Sequence, residues 1–500
     1  MGWDHYPTTR FGDRVDGLAV LPIYGLSAHG LGLGWNIEEI VASTLLARSA
    51  TQLNAGVKLT VLPPLRMSLA PYQASLTGTD PETFYAVVKE LAVGIKATGF
   101  QKLVLWSSHP WNTEIIDVIS RDIRIELNLQ TFVVELGGLG LSLHPRYPAE
   151  CARVQALGAL LTGMKPISEP AGEPTDPHFR PGNWSALPAV EAVVETESPA
   201  AMLDAAAQRL ARLWSEINAR PALQTESARP AENSPPSPFT TEISPPLETH
   251  LETDDHLGSF TGAEISRIAR EENPLVILPI GAIEQHGPHL PVGVDTFIAS
   301  AAAAGLKARL GAAVLIAPTM AYGKSNEHAD FAGTVGMSAT SLRRVLKSRI
   351  KNLQQLGFRQ FAVLNTHGGN SSVLVYTLRE IQTELGVRGG ILRLPTSVEL
   401  SEQESTWGFH AGEWETALML AIAPGTVQMD QALCHYPATL EDTGELRPEN
   451  APAIFSWQTR DIAPDGVMGD ATKATTAKGH RWLQEALDTV AEQVRKLIAE

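Results

Sequence analysis

The run Leu275–Ile280 reads LVILPI and leads directly into Gly281–Gly287, which reads GAIEQHG. A short apolar run without polar alternation is typical of a buried strand in a parallel sheet. Similar runs at Ala313–Ala317, Phe361–Asn365 and Gly390–Leu394 are separated by amphipathic stretches with apolar residues at helical spacing. This alternation predicts an α/β fold with a mostly parallel sheet flanked by helices.

The same pattern occurs a second time, earlier in the chain. Ala19–Ile23 (AVLPI) matches the first strand, Gly78–Thr79 matches Gly333–Thr334, and Thr98–Leu105 (TGFQKLVL) matches Leu356–Leu364 (LGFRQFAVL). The markers keep their order, and their offsets vary only between 255 and 258 residues. The sequence therefore predicts a tandem duplication of one domain of roughly 220 to 250 residues.

A proline-rich stretch separates the two copies. Seven prolines lie between residues 221 and 250, among Ser, Thr and Glu. This composition has too little apolar surface to offset the entropy that ordering costs. The prediction is a first domain at residues 1–220, an extended linker at 221–250 and a second domain at 251–500. The alternative for the linker is an ordered arm that wraps one domain.

The overall composition excludes several classes of protein. A net charge of −16 argues against a nucleic-acid or anionic-membrane surface. Only two cysteines occur, Cys151 and Cys434, one in each half, so a disulfide framework is not indicated. The N-terminal residues do not form a signal peptide, and no apolar run is long enough to cross a bilayer. We therefore expect a soluble, cytoplasmic protein. The charge says little about a small-molecule substrate, because a bound metal would dominate the local field.

Polar side chains follow the first strand of the second copy. Glu284 and His286 are two residues apart, so in an extended backbone both point to the same side, and Asp295 follows in a loop. In parallel sheets, sites form at the carboxyl ends of strands. Carboxylates and an imidazole at that edge can hold a divalent metal. For Glu284 and His286 alone, a solvated turn is an equally good interpretation.

Two further clusters are expected at the same edge. His367 opens THGGN after one strand, and the run HAGE at 410–413 begins another apolar helical stretch. His367 alone could be a helix N-cap, and the glutamates of the second cluster could complement a helix dipole. Together the clusters supply carboxylates and imidazoles suited to two metals that share one carboxylate, with candidate ligands Glu284, His286, Asp295, His367 and Glu413.

In this ordered form the motifs of the second copy resemble the creatininase family (creatinine amidohydrolase and its relatives). The resemblance runs from Asn273 to Leu497 and rests on EQHGPHLP at 284–291, Asp295, YG at 322–323, EH at 327–328, GT at 333–334, HGGN at 367–370, HAGEWET at 410–416, GVMGD at 466–470, Ala474 and KG at 478–479. It implies two tandem three-layer αβα domains and a dinuclear site of zinc, manganese or iron.

The resemblance also implies roles for individual residues. Glu284, Asp295 and His367 would hold one metal, while His286, the bridging Asp295 and a further glutamate would hold the other. His410 matches the proton-shuttling histidine of the family. Candidates to line the substrate pocket are Tyr322, His328, Trp407 and Trp414, although each could equally be a packed core residue. Glu415 and Asn370 are expected to support the ligands.

One motif departs from creatininases proper, which carry His-Tyr-Glu-Asn where this chain has His367, Gly368, Gly369 and Asn370. Because Gly369 cannot supply the glutamate ligand, the prediction assigns that ligand to Glu413. Gly368 replaces the tyrosine that helps to hold creatinine, so creatinine is not the expected substrate. Relatives with this motif hydrolyse formamides, a peptide or an inositol-derived ketone.

The predicted function is that of an amidohydrolase. Metal-bound hydroxide would attack the carbonyl of an amide, cyclic amide or formamide, and the C–N bond broken would not be a peptide bond. The alternatives are a hydrolase of another carbonyl bond (lactone, ketone C–C or peptide) and a non-enzymatic binding or assembly protein. The family further implies a homo-oligomer, such as a trimer of two-domain chains.

The first copy serves as an internal control. Ser27 stands where Glu284 does, while His29, Glu38 and His109 correspond to His286, Asp295 and His367. No counterpart of the run at 410–413 occurs there. Losing two of five ligands should remove most of the metal affinity, so the first domain is predicted to be degenerate and inactive. The alternative is a weaker mononuclear site at His29, Glu38 and His109.

Overall fold

The computed structural model describes residues 2–29, 32–53, 56–69, 75–143, 148–163, 198–221, 256–396, 399–436, 446–447, 453–454 and 456–499. Below, residues 2–221 are called the first half and residues 256–499 the second half. The linker predicted at 221–250 lies outside the described residues from 222 onward, so the domain boundaries stay predictions.

The first half is built around a parallel sheet. Its elements are β1 (Leu18–Tyr24), α1 (Ile37–Ala50), β2 (Leu59–Val61), β3 (Leu65–Arg66), α2 (Pro81–Thr98), β4 (Lys102–Ser107), α3 (Thr113–Glu126), β5 (Gln130–Glu135), α4 (Pro148–Thr162) and α5 (Pro199–Ala219). The strand order is β2-β1-β4-β5, with β3 paired to β1. Side chains alternate along each strand, so Val20 packs towards α1, α4 and α5 while Leu21 packs towards α2 and α3.

The second half repeats this arrangement. Its elements are α6 (Gly262–Glu271), β6 (Leu275–Ile280), α7 (Val294–Leu310), β7 (Val314–Ile316), α8 (Ala339–Gln355), β8 (Gln360–Asn365), α9 (Ser371–Leu385), β9 (Arg388–Arg393), α10 (Glu402–Trp407), α11 (Glu413–Ile422), β10 (Cys434–His435), β11 (Leu446–Arg447), β12 (Ala453–Ile454), α12 (Thr459–Ile462), β13 (Gly469–Asp470) and α13 (Thr476–Ala499). The main sheet has the order β7-β6-β8-β9 and is parallel throughout. No helix in the described part of the chain is long and apolar enough to cross a membrane.

The two sheets share one strand order, which confirms the predicted tandem pair of three-layer αβα domains. Helix α7 starts 257 positions after α1, and α8 starts 258 positions after α2. One marker was paired wrongly from sequence. The N-caps of α2 and α8 are Asp80 and Ser338, so Gly78 corresponds to Gly336 and not to Gly333.

The start of α7 also differs from the prediction. Asp295 was expected in a loop, but α7 begins at Val294 and places Asp295 in its first turn. An acidic side chain is favourable there because the exposed N–H groups of a helix N-terminus carry partial positive charge. The carboxylate is thereby held on a rigid element directly beside the sheet edge.

The halves share a hydrophobic core and contact each other reciprocally. Helix α2 packs against α8. Gly94 of α2 lies so close to the second half that a Cβ would be 2.9 Å from the carbonyl oxygen of Thr334. Asn352, the equivalent residue of α8, donates a hydrogen bond to the carbonyl oxygen of Gly78, 2.9 Å away. The equivalent positions of α2 and α8 therefore each contact the loop that precedes the opposite helix.

The N-terminal segment of the first half crosses to the second half. Residues Gly2–Tyr6, here called the N-terminal arm, lie against the loop that leads into α7. The carbonyl oxygen of Tyr6 accepts a hydrogen bond from the backbone N–H of Val292 at 2.9 Å, and that of Asp4 accepts one from Gly293 at 3.0 Å.

The second half makes the equivalent contact with the first half. Residues His256–Thr261, here called the central arm, lie against the loop that leads into α1. The carbonyl oxygen of Gly258 accepts a hydrogen bond from the backbone N–H of Asn36 at 3.0 Å, and Thr261 forms an antiparallel bridge with Gly34. Asn36 and Gly293 are equivalent positions in the repeat, so the two halves exchange arms.

Candidate metal centre

Loops at the carboxyl edge of the second sheet bring four of the predicted ligands together. Glu284 and His286 follow β6, Asp295 lies at the start of α7, and His367 follows β8. All four side chains are buried. Because β6 and β8 are neighbouring parallel strands, their carboxyl ends meet at one edge, and residues far apart in sequence become adjacent there.

Asp295 lies between two groups of possible ligands. Nε2 of His367 is 3.2 Å from Oε2 of Glu284, and its Nδ1 is 3.4 Å from Oδ2 of Asp295. On the other side, Nε2 of His286 is 3.7 Å from Oδ1 of Asp295 and 3.8 Å from Oε2 of Glu415. In each group the candidate ligand atoms all lie within 4.8 Å of one another, which suits atoms around a shared ion.

Several atoms of this cluster are buried without a hydrogen-bond partner. They are both carboxylate oxygens of Glu284, Nε2 of His286 and Oδ2 of Asp295. An unpaired buried polar atom costs about 1–3 kcal/mol, and a charged one costs more. Cations held between these atoms would satisfy all of them, and imidazole nitrogen with carboxylate oxygen is a donor set that zinc and similar divalent metals accept. The residues present therefore fit a metal centre.

The pKa values of the cluster reflect its crowded charges. Burial alone would raise the pKa of Glu284, but the imidazoles of His328 and His367 outweigh burial and lower it well below its ordinary value. Burial opposes charge on the imidazoles too, yet neighbouring carboxylates raise the pKa of His286 to about 9 and of His367 to about 10. Burial raises the pKa of Glu415 to about 7. Protons and metals therefore compete for the same atoms.

The fifth predicted ligand, Glu413, lies elsewhere. Its carboxylate forms an ion pair with Lys478, and its backbone N–H donates to Oε1 of Glu404 at 2.7 Å. Glu415, predicted only to support the ligands, is the glutamate that faces His286. Glu415 also accepts a hydrogen bond from the backbone N–H of Ala411 at 2.5 Å. The two glutamates project from different sides of the first turn of α11, and the structure turns the second one towards the cluster.

His410 lies at the centre of a stack of imidazoles. Its ring centroid is 4.3 Å from those of His286 and His328, and its Nδ1 is 3.8 Å from Oε1 of Glu284. Its Nε2 is 2.8 Å from the backbone carbonyl oxygen of Gln285 and 2.9 Å from the side-chain amide nitrogen of Gln285. One neighbour accepts and the other donates, so either tautomer of neutral His410 has a partner. Burial lowers the pKa of His410 well below its ordinary value.

The residues predicted to line the substrate lie in different environments. Nε2 of His328 is 3.4 Å from Oε1 of Glu284, so this side chain does reach the cluster. The hydroxyl of Tyr322 instead donates to the backbone carbonyl oxygen of Pro63 at 2.6 Å and so joins the two halves. Trp407 is buried at the end of α10, and Trp414 packs on the hydrophobic cluster around α11.

Asn370, predicted to support the ligands, braces the loop of His367. Its side-chain amide donates to the backbone carbonyl oxygen of Gly281 at 3.1 Å and accepts from the backbone N–H of Lys324 at 2.9 Å. Nε2 of His367 is 2.9 Å from the carbonyl oxygen of Lys324. The Asn370 amide thus connects its own loop with the loops of Gly281 and Lys324.

Sequence reasoning missed two glutamates. Oε1 of Glu327 is 3.9 Å from Nε2 of His367, and a Cβ on Gly369 would overlap that carboxylate. The absent glutamate of the His-Gly-Gly-Asn motif was the signal that another carboxylate could fill this space. Glu404 is buried and accepts hydrogen bonds from the backbone N–H groups of Glu413 and Asp470. In sequence it belongs to an acidic helix start without any distinguishing signal.

The equivalent place in the first half has a different chemistry. Nε2 of His29 is 2.6 Å from Oε1 of Glu38, and Nδ1 of His109 is 2.9 Å from Oε2 of Glu38. Burial would raise the pKa of Glu38, but the contacts with His109 and His29 outweigh it and lower that pKa to about 2. Glu38 and the two imidazoles thus satisfy one another. Within the described residues, the groups able to hold a metal lie in the second half only.

Comparisons with known proteins identify the family of the chain. The sequence model of the creatininase (creatinine amidohydrolase) family matches the chain at residues 5–178 and again at 259–494. The chain is 32% identical over 242 residues to the mycofactocin precursor peptide peptidase of Mycolicibacterium smegmatis, which covers 48% of this chain and 91% of that protein. It is 27% identical over 262 residues to the creatinine amidohydrolase of Pseudomonas putida, covering 48% of this chain and 96% of that protein.

Other similarities are weaker. A 2-amino-5-formylamino-6-ribosylaminopyrimidin-4(3H)-one 5'-monophosphate deformylase of Methanococcus maripaludis is 25% identical over 230 residues, or 44% of this chain and 91% of that protein. Among solved structures, a creatinine amidohydrolase superposes with a TM-score of 0.43 at 24% identity and covers 49% of this chain and 98% of its own. A structure described as "Creatininase Mn" gives a TM-score of 0.43 at 25% identity, with 49% and 99% covered.

Proposed function

Because the chain belongs to the creatininase family, we propose that its second half is a metal-dependent hydrolase that cleaves an amide-type carbon–nitrogen bond. The observation that carries the proposal is the buried, unpartnered donor set around Asp295, for which cations are the natural complement. The first half has no such set among its described residues, so we propose that it is not catalytic.

We propose two sites that share Asp295. Glu284 and His367 would complete one, and His286 and Glu415 the other, with Glu415 in the place that the sequence-based prediction gave to Glu413. The proximities of these atoms support this division. Zinc, manganese or iron bound there would polarise a carbonyl and lower the pKa of water.

His410 is proposed to move the proton to the leaving nitrogen. Its Nε2 has both a hydrogen-bond acceptor and a donor within 2.9 Å, so the ring can take up or release a proton without losing its partner. Burial keeps the ring neutral, which suits a group that must first accept a proton. Gln285 would hold the ring in place through both contacts.

The substrate is proposed to be an amide on a molecule larger than creatinine. Beside His367, a Cβ on Gly368 would meet no atom within 4 Å, so the chain leaves open space at the position where creatininases proper have a tyrosine. The relatives named above act on a peptide, on creatinine and on a formylated pyrimidine. Formamides, cyclic amides and short peptides are therefore the compounds to screen first, against both zinc and manganese forms.

Metal analysis of the purified protein tests the proposal. About two divalent ions per chain are expected for the wild type, and His367→Ala should lose at least one of them. His109→Ala is the matched control, because His109 is buried at the equivalent position of the first half and should leave the metal content unchanged. Less than one ion per chain, with no rescue by added zinc or manganese, would rule the hydrolase out and favour the binding-protein alternative.

The predicted homo-oligomer and cytoplasmic location stay predictions. A trimer of two-domain chains would have a solution mass three times that of the 53.8 kDa chain. Light scattering on the metal-loaded protein distinguishes that assembly from a monomer.

A further inference from the structure

We infer that the N-terminal arm, which belongs to the first half, positions the metal centre of the second half. The inference rests on the proposed function and gives the non-catalytic half a task in the reaction. Two separate chains of hydrogen bonds lead from the arm to the proposed ligands, and a buried anchor fixes the arm to the first half.

The first chain of contacts reaches Glu284 and Asp295. The arm accepts hydrogen bonds from the N–H groups of Val292 and Gly293, and the carbonyl oxygen of Val292 accepts one from the backbone N–H of Glu284 at 2.9 Å. Asp295 follows Gly293 by two residues. The short segment Val292–Gly293 therefore lies between the arm on one side and the carboxylate-bearing residues Glu284 and Asp295 on the other.

The arm and this segment touch without free space. A Cβ on Gly293 would lie 2.7 Å from both Cβ and the carbonyl oxygen of Asp4. A shift of the arm must therefore move the segment, and the spacing between Glu284 and Asp295 changes with it. That spacing sets whether both carboxylates can reach the same ion.

The second chain of contacts reaches the strand end from the opposite side. Nε1 of Trp3 donates to the carbonyl oxygen of Gly333 at 2.9 Å. The next residue, Thr334, accepts a hydrogen bond through its hydroxyl from the backbone N–H of Gln285 at 3.1 Å. Val335 donates to the carbonyl oxygen of Ile283 at 2.9 Å. The residues on either side of Glu284 are thus held by a loop that Trp3 holds in turn.

Trp3 is the anchor of the arm. Its side chain is fully buried, and its ring centroid lies 4.7 Å from that of Phe11 and 5.1 Å from that of Phe100, both in the first half. Gly333 is further fixed by the hydroxyl of Thr98, which accepts its backbone N–H at 3.0 Å. The core of the first half is therefore connected to the metal-site loops through Trp3 and Thr98.

The central arm provides a control within the same molecule. It makes the equivalent contacts with the loop before α1, which leads to Glu38 in the first half and not to the proposed ligands. Leu257 stands there in the place of Trp3 and is also fully buried. Removing either side chain should destabilise the fold, but only one of the two supports the metal centre.

The experiment compares Trp3→Ala with Leu257→Ala in the full chain. Unfolding midpoints and zinc dissociation constants are measured, the latter by competition with a chromophoric chelator. Both midpoints should fall. Zinc affinity should fall about 10- to 100-fold for Trp3→Ala, as it does when groups that orient metal ligands are removed, and should change less than about twofold for Leu257→Ala.

Trp3→Phe keeps the test decisive if Trp3→Ala fails to fold. It retains an aromatic ring in part of the same space and loses the N–H bond to Gly333, so the midpoint should fall less than for Trp3→Ala while zinc affinity falls severalfold. Equal affinity losses in both arms, or unchanged affinity in the Trp3 variants, would overturn the inference and leave the proposed function standing. A wild type that binds no zinc would overturn both.

Discussion

The two halves share one fold but accommodate buried charged groups in opposite ways. In the first half a single carboxylate, Glu38, lies between two imidazoles at 2.6 and 2.9 Å, and the three groups satisfy one another. In the second half the corresponding carboxylate, Asp295, stands 3.4 Å from His367 and 3.7 Å from His286, and several atoms of the cluster have no hydrogen-bond partner. The further carboxylates of Glu284 and Glu415 decide whether such a cluster closes on itself or needs a cation.

The largest effect is expected when the second half receives the residue that the first half carries at the equivalent position. Glu284→Ser copies Ser27, and it should empty at least one metal site and lower amide hydrolysis by at least about a thousandfold, since ligands that act as a unit are lost together. Metal analysis and turnover of the best screened substrate measure both effects. Ser27→Ala, the control in the first half, should change neither; retention of both metals in Glu284→Ser would contradict the ligand assignment.

The two glutamates of α11 test which of them binds metal in the second half. Glu415→Gln should weaken metal binding by about a hundredfold because a ligand charge is lost. Glu413→Gln should change it less than about threefold, since that carboxylate contacts Lys478. Isothermal titration with zinc gives both affinities. If Glu413→Gln has the larger effect, the sequence-based assignment is restored.

The closed cluster of the first half should contribute to stability and not to metal binding. Glu38 has a folded pKa of about 2 against an ordinary value of 4.5. A carboxylate whose pKa is lower in the folded than in the unfolded protein stabilises the fold at pH values above its unfolded pKa. For a shift of this size the contribution is about 3 kcal/mol. Glu38→Gln should therefore unfold more easily at neutral pH, and the difference should shrink as the pH falls from about 4.5 to about 2. Urea unfolding at several pH values checks this, with metal content as the control that should not move.

Proton competition tests the ligand assignment without any substitution. The pKa values of His286 and His367 are raised to about 9 and about 10 in the metal-free protein, so both rings release a proton when a metal binds at neutral pH. Apparent zinc affinity should therefore rise with pH, by about tenfold per pH unit for each proton released. Chelator competition between pH 6 and pH 8 measures the slope. An affinity independent of pH would mean that these imidazoles are not the ligands.

The parts of this structure that could be predicted follow from local pattern. Apolar runs such as Leu275–Ile280 indicated the strands, and the rule that sites form at strand ends brought Glu284, His286, Asp295 and His367 into one place before the fold was known. The duplication was visible because the markers kept their spacing. These inferences need only short sequence patterns and their order along the chain.

The remaining features depend on contacts between distant residues. The turn at α11 depends on Ala411, which adopts a positive φ of 54°, and on Glu404, which holds the N–H of Glu413. No pattern within the HAGEWET run distinguishes its two glutamates. Tyr322 was expected at the substrate because its motif adjoins the site, but its partner Pro63 lies 259 residues away. The exchange of arms leaves no trace in local composition.

That exchange has a consequence for how the protein is made. The ribosome completes the first sheet and its helices well before it reaches His256, yet the segment that covers the loop before α1 begins there. We therefore expect the loop before α1 to stay uncovered in the nascent first half until the start of the second half has left the ribosome. Neither half expressed by itself should then match the stability of the whole chain, although each contains a full sheet.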